Sequence, residues 1–281
     1  MRPFLSRARQ ALLALFVMST TPLFAVQEPL ELNYGETVPQ RLELYLPSPA
    51  RTAPVLVYIH GGAWISGDKS EYRFLAQSFV QDGIAVAVIN YRLAGDDTRY
   101  PAFVEDAILA LRFLHEKAST LGISSDQIFL MGHSAGAHTA AGVAFDPQLG
   151  GQLSFVRGYI GVEGIYDLPA LVQKWPEYRA WFVRSAFGAD EANWKRGSPS
   201  EWTLKKSAPW LLLHSPTDEL VDQSQTDHFY ARLVKSGIPA DVRTDFRQTH
   251  FGTLTMIADR GSDLHKAIVR FTRNPSALGA R

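Results

Sequence analysis

The chain of 281 residues contains no cysteine, which excludes disulfides, a thiol nucleophile and the lipid-bearing cysteine of a lipobox. Neither sign of charge prevails, since 28 lysines and arginines face 28 acidic residues. A balanced chain offers no electrostatic case for a nucleic-acid partner or an acidic membrane. Internal repeats, charge blocks and low-complexity tracts are missing too. The N-terminal apolar stretch Ala11–Val17 is too short to span a bilayer, so no stable membrane anchor is expected. Arg2, Arg7 and Arg9 precede it, and Ser19-Thr20-Thr21-Pro22-Leu23-Phe24-Ala25 follows. A basic start, a short apolar stretch and a small closing residue describe a signal peptide over residues 1–25, cleaved near Ala25. A buried N-terminal helix is the alternative. Export without disulfides points to a secreted or periplasmic bacterial protein whose core alone supplies stability.

What is present is a set of short apolar runs separated by helical patterns. Val55–Ile59, Ala85–Ile89, Ile128–Met131, Tyr159–Val162 and Trp210–Leu213 are continuous and apolar, as suits parallel strands covered on both faces. Arg41–Leu46 alternates polar and apolar and predicts an edge strand with one wet face. Helices are expected over Glu71–Gln81, from Pro101 through Phe103, Ala107, Leu111 and Leu114, around Phe229 and Leu233, and through Leu264, Ile268 and Phe271. Strands alternating with helices imply an α/β fold, a mostly parallel sheet with helices on both faces, in one domain over 26–281. Right-handed crossovers then place the site at the C-terminal strand ends. The segment 168–209 breaks the alternation and holds Trp175, Trp181, Trp194 and Trp202, four of the six tryptophans. So many aromatics in one insert predict either a helical cap lining an acyl pocket or simple glue to the core.

Two motifs carry chemistry. Gly132-His133-Ser134-Ala135-Gly136 ends one apolar run and opens a small-residue helical stretch. Strand, tight turn and helix with serine at the apex is the setting of a nucleophile elbow. His60-Gly61-Gly62-Ala63-Trp64 follows another run, and free N–H groups in such a loop are what acyl transfer needs beside its nucleophile.

Serine needs a base, and the base a carboxylate to orient it. Of the histidines downstream of Ser134, His214 ends a strand, while His228 and His265 fall in helical patterns, where a surface histidine is the ordinary reading. His250 lies in a loop between the Asp241–Phe246 strand and the last helix, where the base belongs. The acid should follow the strand ending at Leu213. Asp218 is the first choice, with Asp222, Glu219 and the more remote Asp167 as alternatives. His60 reads as a brace for the glycine loop. His133 and His138 read as packing residues, because no carboxylate completes a metal site around them.

With these residues in hand, the chain resembles the α/β-hydrolase superfamily, within it the esterases with a His-Gly-Gly-x-Trp loop. That group includes feruloyl esterase-like, arylformamidase-like and carboxylesterase-like proteins. The likeness rests on His60–Trp64, Ser66–Lys69, Asn90–Leu93, Gly132–His138, Gly164–Leu168, Gly197–Pro199, Asp218 and His250. It implies Ser134 as nucleophile, Asp218 as acid and His250 as base, with the amides of Gly61, Gly62 and Ala135 as oxyanion hole and Ala63 as a further option there. It implies no cofactor, no metal and a small-molecule ester as substrate. Two positions depart from the pattern. Glu163 stands where a small or neutral residue is usual, which puts an extra carboxylate in the pocket. Ser215 replaces a glycine common after the strand histidine.

The expected reaction is hydrolysis of small or aromatic esters through an acyl-enzyme on Ser134, with activity falling below about pH 6.5 because the base works neutral. An arylformamidase-type amide hydrolase, a non-catalytic binding protein on a hydrolase fold, and a lipase or peptidase are the competing readings.

Overall fold

The computed structural model describes residues 28–48, 52–151, 153–276 and 278. The signal peptide expected over 1–25 lies outside them. Eight strands form one sheet: β1 (Leu30–Asn33), β2 (Arg41–Tyr45), β3 (Ala53–Ile59), β4 (Ala85–Ile89), β5 (Ile123–His133), β6 (Val156–Val162), β7 (Trp210–Leu213) and β8 (Ala240–Arg243). Their order is β1-β2-β4-β3-β5-β6-β7-β8. The pairs β1–β2 and β2–β4 are antiparallel, and every pair from β4 to β8 is parallel.

Side chains of the central strands divide between two cores by the two-residue period of a strand. Val55, Val57 and Ile59 face a core built with α2 (Ala102–Leu121), α3 (Ala135–Phe145) and the later α7 (Ser224–Lys235). Leu56 and Tyr58 face the other, built with α1 (Arg73–Val80), α8 (Gly252–Ala258) and α9 (Asp263–Arg273). All of α3 is buried, because it sits directly behind the centre of the sheet; its small residues allow that close approach.

Arg41–Leu46 is not at the edge. β2 lies second, covered by β1, a strand the polar sequence Leu30-Glu31-Leu32-Asn33 did not announce. Its supposed wet face is covered as well. Glu43 is buried and satisfied by the Tyr45 hydroxyl and by Lys69 Nζ at 3.3 Å, the pairing a buried carboxylate requires. The helix expected over Glu71–Gln81 divides into a 3-10 turn, Lys69–Tyr72, and α1. Helix α2 starts directly after Pro101 and stops at Gly122, whose φ of 72° only glycine adopts without strain.

The insert contains α4 (Leu168–Lys174), a π-helical turn, α5 (Arg184–Phe187) and α6 (Glu191–Arg196). Its tryptophans divide by role. Trp194 and Trp202 are buried and donate their indole N–H groups to Gly188 O at 2.8 Å and Arg196 O at 2.7 Å. They glue the insert together. Trp181 is 58% exposed and Trp175 partly buried.

Candidate active site

The turn between β5 and α3 holds Ser134 at φ 55°, ψ −120°, a conformation costly for any residue with a side chain. Close packing over-determines it. The Ser134 N–H donates to Val162 O at the end of β6, at 2.8 Å. A Cβ on Gly132 would lie 2.1 Å from Gly136 O, and one on Gly136 would lie 2.1 Å from Ile59 O. Both motif glycines are therefore required by backbone proximity.

The loop after β3 lies against this turn, and a Cβ on Gly61 would be 3.2 Å from Ser134 Cβ. Gly62, Ala63 and Trp64 all have positive φ, at 106°, 53° and 61°. The bend is closed by the N–H groups of Ile65 and Ser66, both donating to Gly62 O at 3.0 Å. Trp64 anchors it, buried against Phe103, Phe182, Phe187 and His138. His60 stacks between Tyr72 and Tyr91 while its Nδ1 contacts Gly61 O at 2.7 Å. Ala135 opens α3, so its N–H has no intrahelical acceptor. Gly61 thus lies against Ser134 beside Ala135, while Gly62 turns in the bend against Ser66.

His250 and Asp218 meet at 2.7 Å, Nδ1 donating to Oδ2, with both side chains almost fully buried. The other carboxylate oxygen accepts from the N–H groups of Leu220 and Val221 at 2.8 and 3.0 Å. Burial opposes ionisation of Asp218, yet the His250 contact and these amides outweigh it and hold the carboxyl below its usual range. The alternatives are committed elsewhere. Asp222 pairs with Lys174 at 2.6 Å and accepts from Ser224 N near the start of α7. Asp167 caps α4 through Ala170 N at 2.9 Å. Glu219 accepts the backbone N–H of His250 at 3.1 Å, a contact its sequence position did not suggest.

The neighbouring histidines are structural. His214 lies between the Thr226 hydroxyl and Val221 O at 2.8 and 3.0 Å, bracing the acid loop, and burial lowers its pKa. His138 bonds Gly197 O at 2.6 Å, and burial pushes it down to about 4. His265 is not a surface residue as its helical setting suggested. It is buried, bonded to Ile257 O and to Asp82, each at 2.8 Å. Ser215 does more than replace a glycine: its hydroxyl donates to Gln248 O at 2.7 Å and accepts from Gln248 N at 2.8 Å. That pair of bonds ties the acid loop to the base loop.

Glu163 follows β6 directly at a φ of 48° and is fully buried. Its Oε1 accepts from the Thr253 hydroxyl at 2.6 Å, while Oε2 has no hydrogen-bond partner. That oxygen sits 3.4 Å from His133 Nε2 and 3.5 Å from His250 Nδ1. Desolvation, then the charge of Asp218, raise its pKa to about 9, so the side chain is a neutral acid at pH 7. His133 donates through Nε2 to His250 O at 3.1 Å, and burial depresses its pKa strongly. His133, Glu163 and His250 have ligand-type atoms within 4.8 Å of one another.

The match to known proteins accords with this geometry. The BD-FAE family model matches residues 42–233. The chain belongs to this family, within the α/β-hydrolase carboxylesterase group. It is 31% identical over 248 residues to isoprenylcysteine alpha-carbonyl methylesterase of Arabidopsis thaliana, covering 81% of this chain and 57% of that one. The chain thus spans little more than half the length of the plant methylesterases it matches. Kynurenine formamidase of Danio rerio is 26% identical over 250 residues, covering 86% of this chain and 80% of its own length. Among solved structures, a truncated carbohydrate esterase from gut microbiota superposes with a TM-score of 0.74 at 21% identity, over 88% of this chain and 98% of that one. An esterase of Thermogutta terrifontis does so at 0.71 and 20% identity, over 92% and 96%. At these identities the structures share the fold.

Proposed function

We propose that this BD-FAE family member is a serine carboxylesterase that cleaves esters of small or aromatic acids through an acyl-enzyme on Ser134. The observation that carries the reading is a strained serine turn beside a buried His250–Asp218 pair bonded at 2.7 Å, the two linked by His133, next to Ser134, which bonds His250 O at 3.1 Å. His250 takes the hydroxyl proton as Ser134 attacks the ester carbonyl. Asp218 holds the ring with Nδ1 protonated and stabilises the imidazolium that forms. The amides of Ala135 and of the Gly61–Gly62 loop meet the oxyanion, where one donor is worth roughly 10²–10³ in rate. His250 then protonates the leaving alcohol, and water releases the acid from the serine by the same steps.

The insert over 168–209 caps the site and selects the acyl group, with Trp181 exposed, Trp175 partly so and Tyr178 buried beneath them. Its position is supported by the Tyr178 hydroxyl, which donates to Leu220 O in the acid loop at 3.2 Å. The N-terminal segment exports the enzyme, and sequencing the mature N-terminus from culture medium or periplasm tests that, with residue 26 expected first.

A formamidase activity is the second reading, favoured by the two kynurenine formamidases among the relatives. Purified protein should be assayed on p-nitrophenyl acetate, butyrate and octanoate, methyl ferulate and N-formylkynurenine, beside Ser134→Ala. Turnover of the esters that disappears in the variant supports the esterase. A faster reaction with N-formylkynurenine reverses the order of the two readings, and turnover that survives Ser134→Ala overturns both.

A further inference from the structure

We infer that Glu163 is a second, reserve acid for the catalytic base, a positioning residue able to orient His250 when Asp218 cannot. The inference rests on the esterase reading. Its structural ground is that two carboxyl groups, from the C-terminal ends of the neighbouring parallel strands β6 and β7, converge on one imidazole nitrogen. Asp218 Oδ2 is 2.7 Å from His250 Nδ1 and Glu163 Oε2 is 3.5 Å from it. Glu163 Oε2 is buried and makes no hydrogen bond, so it has no bond of its own to give up in closing the gap, and Oε1 serves as the pivot on the Thr253 hydroxyl.

The groups facing Glu163 explain why it is silent while Asp218 is intact. His133 approaches from β5, His250 and Thr253 from the base loop and α8, and Asp218 and Glu219 from the loop after β7. The Ser215 backbone N–H is a further hydrogen-bond donor to it. His133 is neutral through burial and supplies no compensating charge. Two carboxylates cannot both ionise this close together in a dry site, so the one with fewer donors stays protonated. Asp218 has two backbone amides and the imidazole N–H. Glu163 therefore carries the proton. Burial is the first cause that keeps Glu163 neutral and the charge of Asp218 the second. Removing Asp218 lifts the second and leaves His250 Nδ1 as a partner for the carboxylate. That carboxylate then accepts the Nδ1–H of His250, fixes the same tautomer, and stabilises the imidazolium formed when the base takes the Ser134 proton.

The test compares Asp218→Ala with Asp218→Ala/Glu163→Gln on p-nitrophenyl butyrate between pH 5 and 9.5, with Ser134→Ala as the background. Alanine is chosen because an asparagine amide can donate to Nδ1 and impose the wrong tautomer. The expected result is a loss of about 10²-fold in kcat for Asp218→Ala, against the roughly 10⁴-fold that follows loss of an unreplaced acid. The residual rate should climb with pH as Glu163 ionises. Adding Glu163→Gln should lower it at least tenfold more and flatten that climb, which a packing role would not do. If either variant fails to fold, Asp218→Gly with and without Glu163→Asp carries the comparison, because the shorter acid keeps its charge and withdraws it from Nδ1. Residual activity no greater than that of Ser134→Ala, or one indifferent to Glu163, overturns the inference while leaving the esterase reading in place. Full turnover by Ser134→Ala would instead sink the reading on which it rests.

Discussion

Single residues carry the chemistry, and their protonation states follow from burial more than from type. On the proposed mechanism Ser134→Ala is expected to cut kcat for ester hydrolysis by about 10⁴-fold or more with little change in KM, since there the hydroxyl acts only in the covalent steps. Steady-state assays on the purified variant check it. Glu163 makes the opposite kind of prediction, a gain of stability. Its folded pKa is raised from 4.5 to about 9, so between those values the folded state keeps a proton that the unfolded chain has released. The stability it confers is complete below pH 4.5 and falls as pH rises toward 9. Glu163→Gln should therefore be more stable than the parent at pH 8, by up to about 5 kcal/mol, with the advantage fading near pH 4.5. Calorimetry at the two values decides. An equal difference at both would show that the carboxyl is not buried neutral. That Glu163 is an extra carboxylate was legible from its departure from the family pattern. Its contact with His250 was not, because residues 87 positions apart in the chain meet only through the order of β5, β6 and β7.

At the scale of elements, turns rather than helices position the site. The β5–α3 turn depends on backbone-to-backbone approach at two glycines, and the added methyl of Gly136→Ala would stand 2.1 Å from Ile59 O. No flexible side chain can yield there. Gly136→Ala is expected to destabilise the protein by about 1–3 kcal/mol, the usual cost of overpacking. It should also reduce activity more than stability alone explains, because Ser134 moves with the turn. Melting temperature and kcat measured together separate the two effects. Strands β3 to β7 were readable because a run buried on both faces is continuously apolar. The strand β1 and helix α8 escaped notice for the converse reason. β1 is a mostly exposed edge strand of four residues, and α8 follows His250 so closely that its seven residues read as loop. Yet Thr253 on α8 is what fastens Glu163. The acid loop was legible as a cluster of three carboxylates, and the choice of Asp218 among them was made by capping bonds: Asp222 turns to Ser224 N and Lys174, and Asp218 to His250.

For the whole molecule, the buried histidines set the response to acid. His60, His133, His138 and His214 all have pKa values pushed below 6.5 first by desolvation. In such a group the unfolded chain binds the proton first, so stability is present above pH 6.5 and is lost as pH falls toward the folded value, about 4 for His138. Glu163 works in the other direction over part of the same window, but it is one group against four. The melting temperature should therefore drop steeply from pH 6.5 to pH 4, before the carboxylates held low, Asp82 and Asp218, begin to protonate. A thermal-shift series in low salt tests this. A flat profile over that window would mean that the histidines are accessible to protons in the folded state.

The amino-acid sequence by itself determined the alternation of buried strands and amphipathic helices, the serine turn, the glycine loop and the chain order of Ser134, Asp218 and His250, the candidates for nucleophile, acid and base. Each of these is written in local periodicity or in a short motif whose backbone demands glycine. Only the tertiary structure decided that β2 is an inner strand, that Trp194 and Trp202 are glue within the insert, and that Ser215 links the acid and base loops. It also decided that Glu163 and Asp218 face the same imidazole. These facts depend on which strands become neighbours and on how much water is excluded between them, and neither quantity is carried by any stretch of residues taken alone.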